Sequence, residues 1–229
     1  MENEAKLTEI NGRLRNAYKP YLQYLQNEFS SDADKISFPL FMKVSPSYFN
    51  GKHKILFVGK EVGEWYGTIS QENTDVDKIM DIYPQAKLCS EKEGPFWNFI
   101  RHLNDGMNGS PCSGFMWTTF SKFTFQRETP PPEIQNRNNE GFELLRQEIE
   151  ILRPDMVFFL TGFSYDEQMR HVFKDICYEK IQNNVMYKIK HELLPAKSMV
   201  LLHPKAMIER GIMDEVLSVI LKDIPVLQE

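Results

Sequence analysis

The stretch Ile55-Leu56-Phe57-Val58-Gly59-Lys60-Glu61-Val62-Gly63 passes abruptly from an uncharged, β-rich run to a polar turn bracketed by glycines. A short apolar run of this kind reads as a strand covered on both faces. Polar residues gather at its carboxyl end, the edge at which ligands bind in open α/β sheets. Near the other end of the chain, Met199-Val200-Leu201-Leu202-His203-Pro204-Lys205 repeats the pattern. On the open-sheet rule Glu61 and His203 are expected to face one crevice, although they are far apart in sequence.

Working outward, residues 114–120 and 156–160 read as two further buried strands, and 185–189 as an alternating strand at an edge or in a hairpin. Helical spacing of Leu7, Ile10, Leu14, Tyr18, Tyr21, Leu22 and Leu25 predicts an amphipathic helix over about 5–28. Pro39, Pro46 and Gly51 mark 31–54 as loop, and 64–94 is a long polar connection with one short helix near 75–82. Gly94-Pro95 introduces a helix ending at Asn104-Asp105-Gly106, while 129–133 reads as a stiff, extended proline segment. Asn138 is placed to cap a helix that stops before Pro154; another helix opens at Ser164, and a last one is expected over 206–222. Strands alternating with helices predict a single domain over 1–229. Its fold class is α/β, a three-layer α/β/α sandwich around a central, mainly parallel four-stranded sheet.

The chain has 229 residues, 41% hydrophobic and 26% charged, which is ordinary for a soluble domain. No stretch is apolar enough for a membrane span, and the acidic start Met1-Glu2-Asn3-Glu4 is unlike a signal peptide, so the expected location is cytoplasmic. Cys89, Cys112 and Cys177 are odd in number and widely spaced, which argues against a disulfide framework and a four-thiolate cluster. No Cys or His pair has zinc-ligand spacing, so neither metal nor cofactor is expected. A net charge of −5 disfavours coating DNA by charge alone, but Lys197, Lys205 and Arg210, with Lys122 and Arg127, offer a local basic lip. The Gly59 segment has neither the dinucleotide fingerprint nor the Lys-Ser/Thr ending of a phosphate loop.

Taken in order, these motifs resemble the uracil-DNA glycosylase superfamily. Gly59-Lys60-Glu61-Val62-Gly63 stands where the long-studied branch has Gly-Gln-Asp-Pro-Tyr, and Pro95-Phe96-Trp97-Asn98-Phe99-Ile100 is similar to its Pro-Ser-Leu-x-Asn-Ile helix. Gly114-Phe115-Met116-Trp117-Thr118-Thr119 is similar to the strand ending in an Asn that reads the uracil edge. His203-Pro204-Lys205-Ala206, followed by Arg210-Gly211, is similar to His-Pro-Ser-Pro. The resemblance spans roughly 51–215, with few identities.

It implies hydrolysis of an N-glycosidic bond in nucleic acid carrying a flipped or damaged base, with damaged or single-stranded DNA as partner. Such chemistry needs a carboxylate beside the sugar and a donor to the departing base. The resemblance gives Glu61 the water and the cation, and His203 the leaving base. Gly59, Lys60 and Gly63 line the turn, Tyr66 or Trp65 supplies a stacking face, and Thr118 or Thr119 reads the base edge. Lys205 and Arg210 contact the backbone. The departures are specific. Glu61 is one methylene longer than Asp, Gly63 widens the pocket where the family has Tyr, and a threonine lacks the two-sided contact of an Asn amide. An inactive DNA-binding or protein-interaction module on the same fold, or a hydrolase of free nucleosides or nucleotides, would draw on the same residues.

Overall fold

In a computed structural model, residues 2–63, 65–71 and 74–223 are described. The strands are β1 (Ile55–Glu61), β2 (Phe115–Ser121), β3 (Met156–Phe159), β4 (Cys177–Gln182), β5 (Met186–Lys190) and β6 (Lys197–Leu201). They form one α/β sheet in the order β2-β1-β3-β6-β5-β4. β1, β3 and β6 run parallel, with Phe57 beside Phe158 and Phe158 beside Met199. β5 and β4 continue the sheet antiparallel. Six strands in a mixed sheet thus replace the four expected. Of the two beyond those four, β5 matches the edge or hairpin strand read over 185–189, and β4 was not foreseen: its Tyr178, Glu179 and Lys180 carry no apolar run, and it is held by hairpin pairing to β5 across Asn183-Asn184, with Asn184 at φ 55°.

The helices are α1 (Glu2–Glu28), α2 (Val76–Gln85), α3 (Pro95–Asn108), α4 (Pro132–Gln135), α5 (Asn139–Leu152), α6 (Asp166–Val172), α7 (Pro204–Glu209) and α8 (Met213–Asp223). The chain resolves into two compact units. The first comprises 1–44, 59–86 and 117–153, the second 45–58, 87–116 and 154–229.

In the first unit α1 packs on α5 and α2. Tyr18 of α1 stacks on Phe41 with ring centroids 4.2 Å apart, and accepts a hydrogen bond from the Met42 amide. Asn11 pairs through its side-chain amide with both backbone groups of Val44. The segment is a loop with little regular structure, as its prolines and Gly51 led one to expect, but it is not at the surface. Ile36, Phe38, Leu40, Phe41, Met42 and Val44 are all buried, and Leu40 N donates to Lys122 O beyond β2. The segment is irregular yet interior, because its amides find partners on α1 and on the continuation of β2 rather than in a ladder of their own. The edge at Trp117 is closed by Tyr83 of α2, whose hydroxyl accepts from Trp117 N and donates to Trp117 O. α2 begins at a capping Asp75, close to the predicted helix; residues 64, 72 and 73 of that connection lie outside the described set. Asn138 makes no cap: its Oδ1 accepts from Tyr21, and Gly141 leaves the room, since a Cβ there would sit 2.5 Å from Asn138 Oδ1. The proline segment closes into α4.

In the second unit α3 packs against α7 and α8. It runs through Gly106 to a left-handed Gly109, φ 63°, so Gly106 does not end it. Gly106 serves packing instead: a Cβ there would lie 2.7 Å from Leu221 Cδ2 of α8. The last predicted helix is two, α7 and α8, broken at Gly211 with φ 65°. Cys89 and Cys112 are joined in a disulfide with their Cα atoms 5.5 Å apart, one bridge where the odd, widely spaced cysteines argued against a disulfide framework. The 23-residue separation hid the pair: the two segments flanking α3 fold back along it, Cys89 O onto Arg101 and Ser110 O onto Asn104. Among the described residues no helix is long and apolar enough to cross a membrane.

Candidate functional site

In the first unit, Glu61 closes β1, half-buried, and its Oε1 accepts a hydrogen bond from Thr129 Oγ1 at 2.9 Å. That hydroxyl restrains the carboxylate, a role the sequence reading missed. Gly59 is buried within the strand and Lys60 half-buried. Val62 turns inward and Gly63 takes φ 65°, the left-handed conformation that glycine adopts without a Cβ penalty. Nothing lies within 4 Å of where a Gly63 side chain would begin.

Past the turn, Tyr66 is 46% exposed and packs edge-on against Trp65, with centroids 5.5 Å apart. Trp65 in turn meets Trp117 of β2 at 6.0 Å. Three aromatic rings therefore follow the glycine turn in one chain of edge contacts, which offers both a platform and an exposed face.

The two threonines of β2 part company because successive side chains of a strand point to opposite faces. Thr118 shares a face with Lys122 and is committed to the interior. Its hydroxyl donates to Glu148 Oε2 at 2.8 Å and accepts from Lys122 Nζ at 2.6 Å. Thr119 shares the opposite face with Trp117. It is fully buried, and among the described residues its hydroxyl has no hydrogen-bond partner. A buried hydroxyl left unmatched costs about 1–3 kcal/mol, a cost that a ligand contact would remove.

Lys122 belongs to no basic lip. With Glu148 it forms a fully buried ion pair, Nζ 2.5 Å from Oε2, and Tyr18 donates to the other carboxylate oxygen at 3.0 Å. Burial lowers the lysine pKa against the opposing pull of Glu148, and burial first, then Glu148, raises that of Tyr18. The lysine's periodicity with Thr118 was visible in the sequence; its distant partner on α5 was not.

In the second unit, His203 stands at the junction of β6 and α7. Its Nδ1 accepts from Lys205 N at 3.3 Å, which leaves the neutral ring with its proton on Nε2. The imidazole stacks on Phe96, the second residue of α3, at 5.9 Å and 23°. Gly162, φ 61°, follows β3, donates its N–H to Leu201 O and approaches the His203 backbone. Lys205 and Arg210 are exposed on and after α7. Phe96 entered the sequence reading only as a helix residue; its stacking depends on folding. Glu61, Gly59, Lys60, Gly63, Tyr66, Thr118 and Thr119 thus belong to the first unit, and His203, Lys205 and Arg210 to the second.

Among the described residues no group of three or more His, Cys, Asp or Glu side chains could hold a metal ion. Comparison with protein-family models, curated proteins and solved structures found no match.

Proposed function

We propose that this chain is a uracil-DNA-glycosylase-like protein that takes up a flipped or damaged base of DNA and hydrolyses its N-glycosidic bond in the cytoplasm. The observation that carries the reading is Thr119: a buried, unmatched hydroxyl on the Trp117 face of β2, in the same unit as Glu61. A nucleobase edge supplies the missing partner, and Tyr66 or Trp65 supplies the stacking face that an extruded base requires. Thr119, rather than Thr118, is the edge reader. Glu61, steadied by Thr129, orients water toward the anomeric carbon as the sugar gains cationic character. The resemblance assigns His203 the donor role toward the base as it departs with negative charge.

In the hydrolysis, the N-glycosidic bond breaks with its electron pair leaving on the base, and water adds to the sugar. The water proton is taken by the Glu61 carboxylate. The open space at Gly63 favours a pocket tolerant of substituents larger than uracil's bare edge.

The test is incubation with single- and double-stranded oligonucleotides carrying uracil, hypoxanthine, xanthine or mismatched thymine, followed by alkali. Strand cleavage is expected, reduced by a factor on the order of 10²–10⁴ in Glu61→Gln and His203→Ala. Thr119→Val should weaken substrate binding with less effect on turnover. Absence of cleavage on every substrate would overturn the reading. Thr118, already committed to Glu148, favours a second one: a binding module without a two-sided edge reader, shown by salt-dependent DNA binding that survives Glu61→Gln unchanged.

A further inference from the structure

The geometry points to a thiol–disulfide clasp around α3, in which Cys89–Cys112 is a reversible redox site that governs how firmly the lead-in to Phe96 is held. The two cysteines lie on the segments that flank the helix, 23 residues apart in sequence. Cys112 is exposed and Cys89 half-buried, so small thiols have access to the bond. Exposed disulfides are the labile ones; deeply buried ones resist exchange.

Both segments keep other attachments when the bond opens. Arg101 Nη1 donates to Cys89 O at 3.0 Å and to Lys92 O at 2.7 Å, tying the lead-in to the middle of α3. On the other side Asn104 Nδ2 donates to Ser110 O at 2.7 Å and Ser113 O at 2.8 Å, and Asn108 supports the same turn. Opening the disulfide therefore leaves α3 in place and the cysteines near each other, which is what a reversible site requires. What changes is local. The segment from residue 87 to Gly94 is tethered by the disulfide and by Arg101 when oxidised; when reduced it loses the covalent tie and keeps Arg101 and the long contact of Cys89 Sγ with Pro111 O at 3.4 Å. Gly94, φ 102°, is the pivot at the end of that segment, and Phe96, two residues on, is the ring on which His203 stacks.

The exchange balances with a low-molecular-weight disulfide as oxidant. The Cys112 thiolate attacks one sulfur of the external disulfide and releases one thiol. Cys89 thiolate then attacks the mixed disulfide at Cys112 and releases the second. Two protein thiols and one external disulfide become one protein disulfide and two external thiols.

The inference stands apart from the glycosylase reading and is tested without any activity. The full chain carrying Cys177→Ser, which removes the remaining exposed thiol, is equilibrated in glutathione and glutathione disulfide at a series of ratios. Free thiols are counted after acid quenching, and amide exchange is followed by mass spectrometry. The expected result is a two-thiol transition within those ratios. Exchange over 87–98 should be at least several-fold faster in the reduced form, while 139–152 stays unchanged. A Cys89→Ser/Cys112→Ser form of the same protein should show the reduced pattern at every ratio. Formation of no intramolecular disulfide, or identical exchange over 87–98 in both states, would overturn the inference.

Discussion

Lys122→Met is the sharpest test of the buried network that binds α1, β2 and α5 of the first unit. Methionine keeps the length of the lysine stem and deletes the ammonium that lies 2.5 Å from Glu148 Oε2 and 2.6 Å from Thr118 Oγ1. Lys122 and Glu148 are each 0% exposed, so water does not replace what is removed. Glu148 keeps two donors, the hydroxyls of Tyr18 and Thr118, and neither carries charge. Removing one partner of such a pair costs about 3–5 kcal/mol. At about 2–4 °C per kcal/mol for a chain of this size, Tm should fall by about 6–20 °C. The variant also acquires a signature in pH. A buried carboxylate without its cation has a raised folded pKa, so stability is lost as pH rises above the unfolded carboxylate value of about 4.3. The deficit against the parent protein should therefore be smaller at pH 4 than at pH 7. Adding Glu148→Gln removes the second charge while leaving an amide oxygen for Tyr18, and the double variant should recover most of the loss. Urea unfolding of the four proteins of this cycle at both pH values measures all of it. A loss under about 1 kcal/mol in Lys122→Met, or a double variant as weak as the summed singles, would refute the pairing argument.

Gly63 and Gly67 share a left-handed backbone, φ 65° and 63°, but not their surroundings. A Cβ on Gly67 would meet Phe38 Cε2 at 2.3 Å, one on Gly63 nothing within 4 Å. Gly67→Ala should thus destabilise by about 1–3 kcal/mol more than Gly63→Ala in matched denaturation curves. In Gly106→Ala the intruding methyl meets the end of the Leu221 side chain, and the shortened side chain of Leu221→Ala should restore part of the lost Tm. Tyr18, Tyr21 and Tyr83 are buried and held neutral mainly by desolvation, so their folded pKa values are raised. Above the unfolded tyrosine value of about 10 the unfolded chain loses protons first, and each such tyrosine removes up to about 1.4 kcal/mol of stability per pH unit. Lys122, with a lowered pKa, acts oppositely, adding stability as pH rises toward about 10.4. One lysine cannot offset three tyrosines, so stability should fall steeply above pH 10, as read by denaturation midpoints between pH 9 and 11.

The parallel strands were legible because burial on both faces leaves a short apolar run: those expected over 156–160 and 199–202 lie within a residue or two of β3 and β6, and the one over 55–58 starts with β1, which runs three residues further, to Glu61. The interior segment 36–44 was not. Its prolines and aromatics resemble those of any surface connection, and only partners as distant as Asn11 and Lys122 make it core. β4 escaped for the related reason that an edge strand needs no apolar pattern when its neighbour supplies the pairing. At the candidate site, Glu61 and His203 stood out by their positions at strand ends. The difference between Thr118 and Thr119 did not, since adjacent identical residues acquire different roles only once a strand assigns them to opposite faces. Thr129 and Phe96 come from elements whose approach no local pattern announces.

The long reach between Tyr18 and Glu148, 130 residues apart, sets an order on the chain's biogenesis. At roughly 5–20 residues per second, α1 leaves the ribosome some 7–26 s before α5 is complete. For that interval the apolar face of Leu14, Tyr18, Leu22 and Leu25 lacks α5, with α2 its one α-helical partner already synthesised among the described contacts. A nascent chain halted in that window should be a good client for chaperones that recognise exposed apolar helices, and shortening the gene from its far end past Glu148 should convert a folding protein into an aggregating one.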